Sequence, residues 1–328
     1  MYTHQEERSV ESVCYEKVHV DKVLKVINNK FTSYFKDFIE LEAGYAVSEE
    51  TIQKVARNLG VDGSKQKKNI DLTRKYKTIA IESVIEFEKD KTKYETIFDE
   101  ESLDEYEDNP PYFKSTVLRN ECPIIHATLH NKRAKELDKY RYEFNISDAG
   151  DLLTVVRNLF DFATEYEEKF YDEEIYDEIN DYEDLQLSDL DTDDYTVYGV
   201  IGGGIKSHMM YKAYPSLFPN RSRDAIWALW YLTDKKVFNC IQDSEFLMID
   251  IEKSITQQNY FYPYELFTFY AHQIFQILNK KAKELDVYLD PSYRYVYVNS
   301  FLSFIAEQHE EEINFLKQQI RDGGFGYA

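Results

Sequence analysis

The sequence predicts an α+β protein that is mainly helical, with helical bundle-like layers and a few short strands. Three observations carry the expectation. Apolar residues return at three- and four-residue steps through most of the 328 residues, β-branched residues crowd into a few short runs, and 43% hydrophobic with 16% aromatic content suffices for a real core.

The elements follow in chain order. Val18, Val23, Val26, Ile27, Phe31, Tyr34, Phe35 and Phe38 form one face of a helix over 16–42. Ser48 is a good N-cap for a second helix, whose stripe of Ile52, Val55, Ala56 and Leu59 ends at Gly60. Residues 70–88 read as strand, because Ile79, Ile81 and the run Val84 to Phe87 are rich in β-branched side chains. The acidic stretch FDEESLDEYEDNPP, 98–111, closes with two prolines and reads as a surface linker.

Pro123 suits the first position of a helix continuing to Tyr142, since proline at N1 loses no intrahelical bond. Another helix starts at Asp148, with Leu152, Leu153, Val156, Leu159, Phe160 and Phe162 as its apolar face. From Tyr195 charges thin out and aromatics rise, with Trp227 and Trp230 in the helix DAIWALWYL marking the most buried part. Glu245 to Ile251 reads as strand, Pro263 to Leu285 as helix, Tyr293 to Val298 as an alternating strand, and Phe301 to Ile320 as a final amphipathic helix. The glycine-rich tail RDGGFGYA is expected to fray. The regions this suggests are 13–103, α+β with a basic patch; 110–194, helical and ending in an acidic belt; and 195–322, an aromatic-rich helical core.

Charge is the most unusual property. The net charge is −22, and 165–194 holds fifteen acids against the single base Lys169, a net −14. A surplus of this size weakens non-specific attraction to nucleic acid or anionic lipid. Lys54, Arg57, Lys65, Lys67, Lys68, Arg74, Lys75 and Lys77 face only Asp62 and Asp71, which makes a basic patch. No apolar run approaches the roughly 20 residues of a membrane span. The start MYTHQEERSVES is too polar and acidic for a signal peptide, and Cys14, Cys122 and Cys240 are odd in number and far apart. A cytoplasmic protein with ordinary thiols is expected.

The stretch YGVIGGGIKSH, 198–208, raises the question of a phosphate cradle, where glycines let backbone N–H groups converge on an anion. Gly199 and Gly204 have the spacing of a P-loop's two glycines, but Ile205 takes the lysine's place, and Lys206 is turned away by about 100°. The run FLMIDIE, ending in Asp250 and Glu252, would be the matching magnesium-holding strand. A simpler anion site would use Gly203, Gly204, Lys206 and His208, aided by Arg221 and Arg223; the bland alternative is that the glycines admit a close helix start.

Three further constellations stand beside it. Cys122, His126 and His130 share a helical face, yet positions eight apart lie about 12 Å from each other, so no metal set closes and none is expected. SEETIQKVARNLGVDGSKQKKNI, 48–70, looks like half of a helix-turn-helix, with Gln66 where that motif packs an apolar residue. RNECPIIH, Arg119 to His126, resembles the arginine–spacer–histidine pattern of helical ribonucleases in the higher eukaryotic and prokaryotic nucleotide-binding group. That resemblance covers eight residues and implies phosphate stabilisation by Arg119 and proton transfer by His126.

No residue set forms a complete catalytic team, and no cofactor is implied. The expectation is a non-catalytic cytoplasmic protein that binds macromolecules, a component of a bacterial or phage assembly, with defence among the fitting roles given its Lys, Ile, Asn and Tyr usage. The acidic belt would engage a basic protein partner through Phe170, Asp172, Glu173, Glu174, Tyr176, Asp177, Glu178 and Tyr182, charge setting the encounter rate and aromatics holding it. The alternatives are an enzyme acting on a phosphate-bearing substrate through the 199–208 loop, and nucleic-acid binding through Lys54 to Lys77. The sequence leaves the partner, the oligomeric state and the pathway open.

Overall fold

The computed structural model describes residues 10–42, 65–236, 238, 245–250, 255–258 and 262–322. The chain is mainly helical. In order come α1 (Val10–Val13), α2 (Lys17–Glu42), α3 (Lys65–Ile97), α4 (Glu100–Glu107) and α5 (Pro110–Tyr112), which runs into a π-helix, Phe113–Glu121. Then follow α6 (Pro123–His130), α7 (Asp138–Ile146), α8 (Ala149–Lys169), α9 (Glu173–Asp177), α10 (Gly203–Ala213) and α11 (Arg223–Leu232). The hairpin β1 (Leu247–Asp250) and β2 (Ile255–Gln258) precedes α12 (Tyr264–Glu284), α13 (Arg294–Gln308) and α14 (Glu310–Asp322). Among the described residues this is the one strand pair, antiparallel, with Leu247 opposite Gln258 and Asp250 opposite Ile255; β1 falls within the strand expected over 245–251, and the other two expected strands are helix.

The chain divides into two compact units. The first comprises 1–86, 224–258 and 272–324. Its core is aromatic: Phe31 and Phe38 of α2 meet Phe301 of α13 at ring-centroid distances of 4.9 and 5.4 Å, and Phe35 stands edge-on to Tyr76 of α3 at 5.2 Å. Polar ties join α3 to the end of α12, with Tyr76 donating to the Leu278 carbonyl at 3.2 Å and Thr73 to that of Leu285 at 2.7 Å. Tyr231, on the buried helix that carries Trp227 and Trp230, stacks on His309 at 3.7 Å.

The second unit comprises 87–223, 259–271 and 325–328. Its centre is α8, started by Asp148, whose carboxylate accepts from Gly150 N at 2.7 Å and Asp151 N at 3.2 Å. Leu152, Val156, Leu159 and Ala163 of this helix are fully buried, and Phe160 packs on Phe98 at 4.8 Å. Arg157 on its outer face pairs with Asp104 and with Glu107 of α4.

Four expectations fail for physical reasons. The strand expected over 70–88 is helix α3: Tyr76, Ile79, Ala80 and Phe87 are buried, while Ile81 and Ile85 are 50% and 58% exposed. That is a helical period, and burial of one face outweighs the β-preference of single residues. The strand expected over 293–298 opens α13, where Arg294 to Val298 are all buried. A helix covered on every side has no polar face from which its period can be read. The linker expected over 98–111 is largely α4: Asp99 accepts from Ser102 N at 2.9 Å, Leu103 is buried, and Asn109 caps the turn containing Pro110. The helix begun at Pro123 stops at His130 instead of reaching Tyr142, and α7 starts afresh at Asp138.

Candidate partner-binding surface

The acidic belt begins in the last turn of α8 and continues as short helical turns. Its acids explain why no long helix forms. Asp172 caps α9, accepting from Glu174 N at 3.0 Å and Ile175 N at 3.1 Å, and Asp181 caps the turn Tyr182–Leu185. Each such residue favours a helix start at its own position, so the segment breaks into turns. Gln186, at φ 53°, reverses the chain before the turns Ser188–Asp191 and Asp193–Tyr195.

The belt is fastened from within. Tyr176, Ile179, Leu185, Leu187 and Leu190 are buried. Tyr166 of α8 donates to the Leu185 carbonyl at 2.8 Å, Tyr176 to that of Leu217 at 3.3 Å, and Leu187 N to the Glu265 carboxylate at 2.9 Å. Most of the charges face outward: thirteen of the fifteen acidic residues are exposed and Asp177 and Asp181 are half-buried, with Asp191 the one exposed residue whose carboxylate turns inward. The lone base, Lys169, is committed to Glu165 at 2.7 Å. Crowding is felt in the titration: Glu167 is raised by partial burial and by Glu168, and Tyr182 by burial and then by Glu183 and Asp181.

Among the residues expected to bind a partner, Asp172, Glu173, Glu174 and Glu178 are exposed, and Phe170 is 54% exposed. Tyr182 is half-buried, edge-on to Phe269 at 6.5 Å. Tyr176 must be corrected: at 3% exposure it is a core residue and presents nothing to a partner. Ile175, 67% exposed among these acids, stands outward in its place.

The glycine loop is built differently from a phosphate cradle. Residues 197–201 make a tight turn, with Val200 N donating to the Val197 carbonyl at 2.9 Å. Gly199 adopts φ +80° there, and a Cβ on it would lie 2.8 Å from Glu143 Cγ, so this glycine serves the turn. Gly202 is the N-cap of α10, in which Gly203 and Gly204 form the first turn; a Cβ at Gly204 would meet only the Arg221 carbonyl, at an ordinary 3.8 Å. The close helix start therefore does not require glycine at 204.

Lys206 and Arg221 are turned inward. Lys206 is buried, donates to the Leu190 carbonyl, lies 3.4 Å from Thr196 Oγ1, and has its pKa lowered by burial against the opposing pull of Asp191. Arg221 is buried beside the same carboxylate. Asp191 reaches solvent with its outer edge, but its carboxylate accepts from Tyr264 N at 2.8 Å, and desolvation raises its pKa. His208 belongs to another group, with Asp90, Lys212 and Asn220, and is pushed down to about 4, first by burial and then by Lys212. Arg223 is exposed.

The other constellations are also placed. Cys122 is fully buried, its thiol pushed up to about 12 by desolvation, while His126 and His130 are exposed and stacked on each other at 4.1 Å. Among the described residues no group of three or more His, Cys, Asp and Glu is arranged to hold a metal. Arg119, at the end of the π-helix, donates to Asn145 Oδ1 at 2.8 Å and lies over Phe144. Asp250 lies in β1, whose only strand partner among the described residues is β2; Glu252 lies outside the described residues. The helix-turn-helix-like segment, with Lys54 and Arg57, falls outside them up to residue 64, and beyond it Lys75 is buried and paired with Asp71 at 3.4 Å.

Sequence reasoning passed over one surface, the segment 131–146, because most of it lay inside a helix expected to continue to Tyr142. Its density of cations was the available signal. No described helix is long and apolar enough to cross a membrane. Compared with models of protein families, with curated proteins and with solved structures, the chain matches none.

Proposed function

We propose that this protein is a non-catalytic, cytoplasmic component of a larger assembly, and that the belt 165–194 is the face by which it binds a basic protein partner. The observation that carries the reading is the sorting of side chains along the belt. Its buried apolar residues fasten it to the second unit, which leaves twelve carboxylates outward together with Phe170 and Ile175, Asp191 being turned inward. A merely solvated run has no reason to be held in this way, and holding it keeps the charges fixed and lowers the entropy lost on binding. The charges speed encounter and the two apolar side chains slow release.

The phosphate reading of the 199–208 loop is weaker, because Lys206 and Arg221 are already set against Asp191. The test of the belt is a pull-down from the native host, followed by binding kinetics at two salt concentrations. Neutralising Asp172, Glu173, Glu174 and Glu178 should slow association several-fold at low salt, and Phe170→Ala or Ile175→Ala should speed dissociation. If all these variants recover the same partners with the same kinetics, the belt is not the interface.

A further inference from the structure

The second unit carries a surface of opposite sign. Between α6 and α7 the chain reads HNKRAKELDKYR, residues 130–141, with five cations against Glu136 and Asp138. The loop is built, and Arg141 builds it: its guanidinium donates to the Asn131 carbonyl at 3.1 Å, to the Ala134 carbonyl at 3.0 Å and to Asp138 at 2.6 Å. This spends Asp138 and fixes both sides of the turn, where Lys132 N also donates to the His130 carbonyl at 2.8 Å. Lys132, Arg133, Lys135 and Lys139 are exposed, and among the side chains described none offers any of them an ion pair or hydrogen bond. In a chain of net charge −22, four exposed cations within eight residues, with Asp138 already taken by Arg141 and Glu136 the one other acid of the stretch, are a departure that folding does not require.

An apolar stripe adjoins them. Lys139, Tyr142 and Ile146 fall at i, i+3 and i+7 on the outer face of α7, where Tyr142 is 61% and Ile146 60% exposed, while Phe144 on the inner face is fully buried. Cations beside an exposed aromatic are what an unpaired strand needs, phosphates meeting charge and a base lying on a ring. The net negative charge does not forbid this: screening at 0.1 M salt confines attraction and repulsion to about 10 Å, so the local sign governs.

We propose that residues 131–146 form a binding surface for single-stranded nucleic acid, with Lys132, Arg133, Lys135 and Lys139 on the phosphates and Tyr142 against a base. Its residues are other than those of the belt and of the basic patch Lys54 to Lys77. Four phosphate contacts give a slope of log affinity against log salt of about −2.8, which is a loss of roughly 50-fold between 50 and 200 mM.

The experiment is fluorescence anisotropy of labelled 20-nucleotide oligouridine, oligothymidine and a 20-base-pair duplex, with the full chain. Both single strands should bind with that slope, the duplex more weakly, and preference between the two strands reads RNA against DNA. Changing Lys132, Arg133, Lys135 and Lys139 together to Ala should abolish binding, whereas the same four-charge change at Lys22, Lys25, Lys36 and Lys283 should leave it intact. Tyr142→Ala should weaken binding roughly five-fold or more without altering the slope, since stacking carries no counterion term. Thermal unfolding of each variant, matching the parent's, excludes a folding defect. No binding at 50 mM salt, or binding untouched by the loop variant, overturns the proposal. So does a loop variant that loses only self-association, which would assign the surface to the acidic belt of a second copy.

Discussion

Replacing Tyr176 separates a belt that is packed from one that is merely present. The side chain is 3% exposed, stands edge-on to Tyr171 at 5.4 Å and donates to the Leu217 carbonyl at 3.3 Å. Truncating a buried aromatic to alanine costs about 3–5 kcal/mol, and the lost hydrogen bond about 1 kcal/mol of that kind of sum. Tyr176→Phe removes the hydroxyl alone and should cost about 1 kcal/mol. Phe170→Ala, at a side chain more than half exposed, should stay within about 0.5 kcal/mol. Urea denaturation followed by circular dichroism measures the three, and hydrogen exchange over 172–190 localises the effect. Tyr176→Ala should raise exchange throughout this stretch, because Ile179, Leu185 and Leu190 are buried in the same segment. If Tyr176→Ala unfolds at the parent's urea concentration and leaves exchange unchanged, the belt is not fastened as described, and the argument for a fixed acidic face falls with it.

His208, held down at about 4, stays neutral in the fold, while the unfolded chain takes up its proton below about 6.5. Stability should therefore decline as pH falls from about 6.5 toward 4, by up to about 3 kcal/mol from this group, and His208→Gln should flatten that limb in denaturation at stepped pH. Gly199→Ala should cost about 1–2 kcal/mol, because φ is +80° and the new methyl would press on Glu143; Glu143→Ala should restore part of it, and an unchanged melting temperature would refute the strain. Cys122, fully buried with its thiol pushed up to about 12, should resist iodoacetamide at pH 8 in the folded protein and react once urea is added, which peptide mapping reads directly.

Legibility followed the contrast between faces. The helix over 16–42 was readable because Phe31, Phe35 and Phe38 lie inside while Thr32, Ser33, Lys36 and Asp37 between them are exposed, and α8 because Asp148 announces it. α13 was not, since its residues 294–298 are all buried and alternation of tyrosine with valine imitates a strand. α4 had a readable start in Asp99 and Ser102, but two prolines and many acids drew attention to its end. At the belt, the acids and the exposed Phe170 were legible. The inward side of Tyr176 was not, because Leu217 and Glu265, which help to fasten the segment, are remote in sequence. Nothing local distinguishes a tyrosine that anchors a partner from one that anchors its own fold.

The belt and the 131–146 surface lie in one compact unit and have opposite signs, which narrows the kind of assembly that would use both. A basic protein satisfies the belt and leaves the cationic loop unmatched; a nucleic acid satisfies the loop and is repelled by the belt. A nucleoprotein, in which a basic protein is itself bound to a single strand, satisfies both faces with one target. It also couples them, since engaging the second face is then intramolecular and strengthens the complex without new contacts. Material recovered through the belt should therefore contain single-stranded nucleic acid, and nuclease treatment should lower its retention. Reversing the four loop cations should do the same without changing which protein is recovered. If nuclease and loop reversal both leave retention unchanged, the two surfaces serve separate partners and the nucleoprotein argument fails.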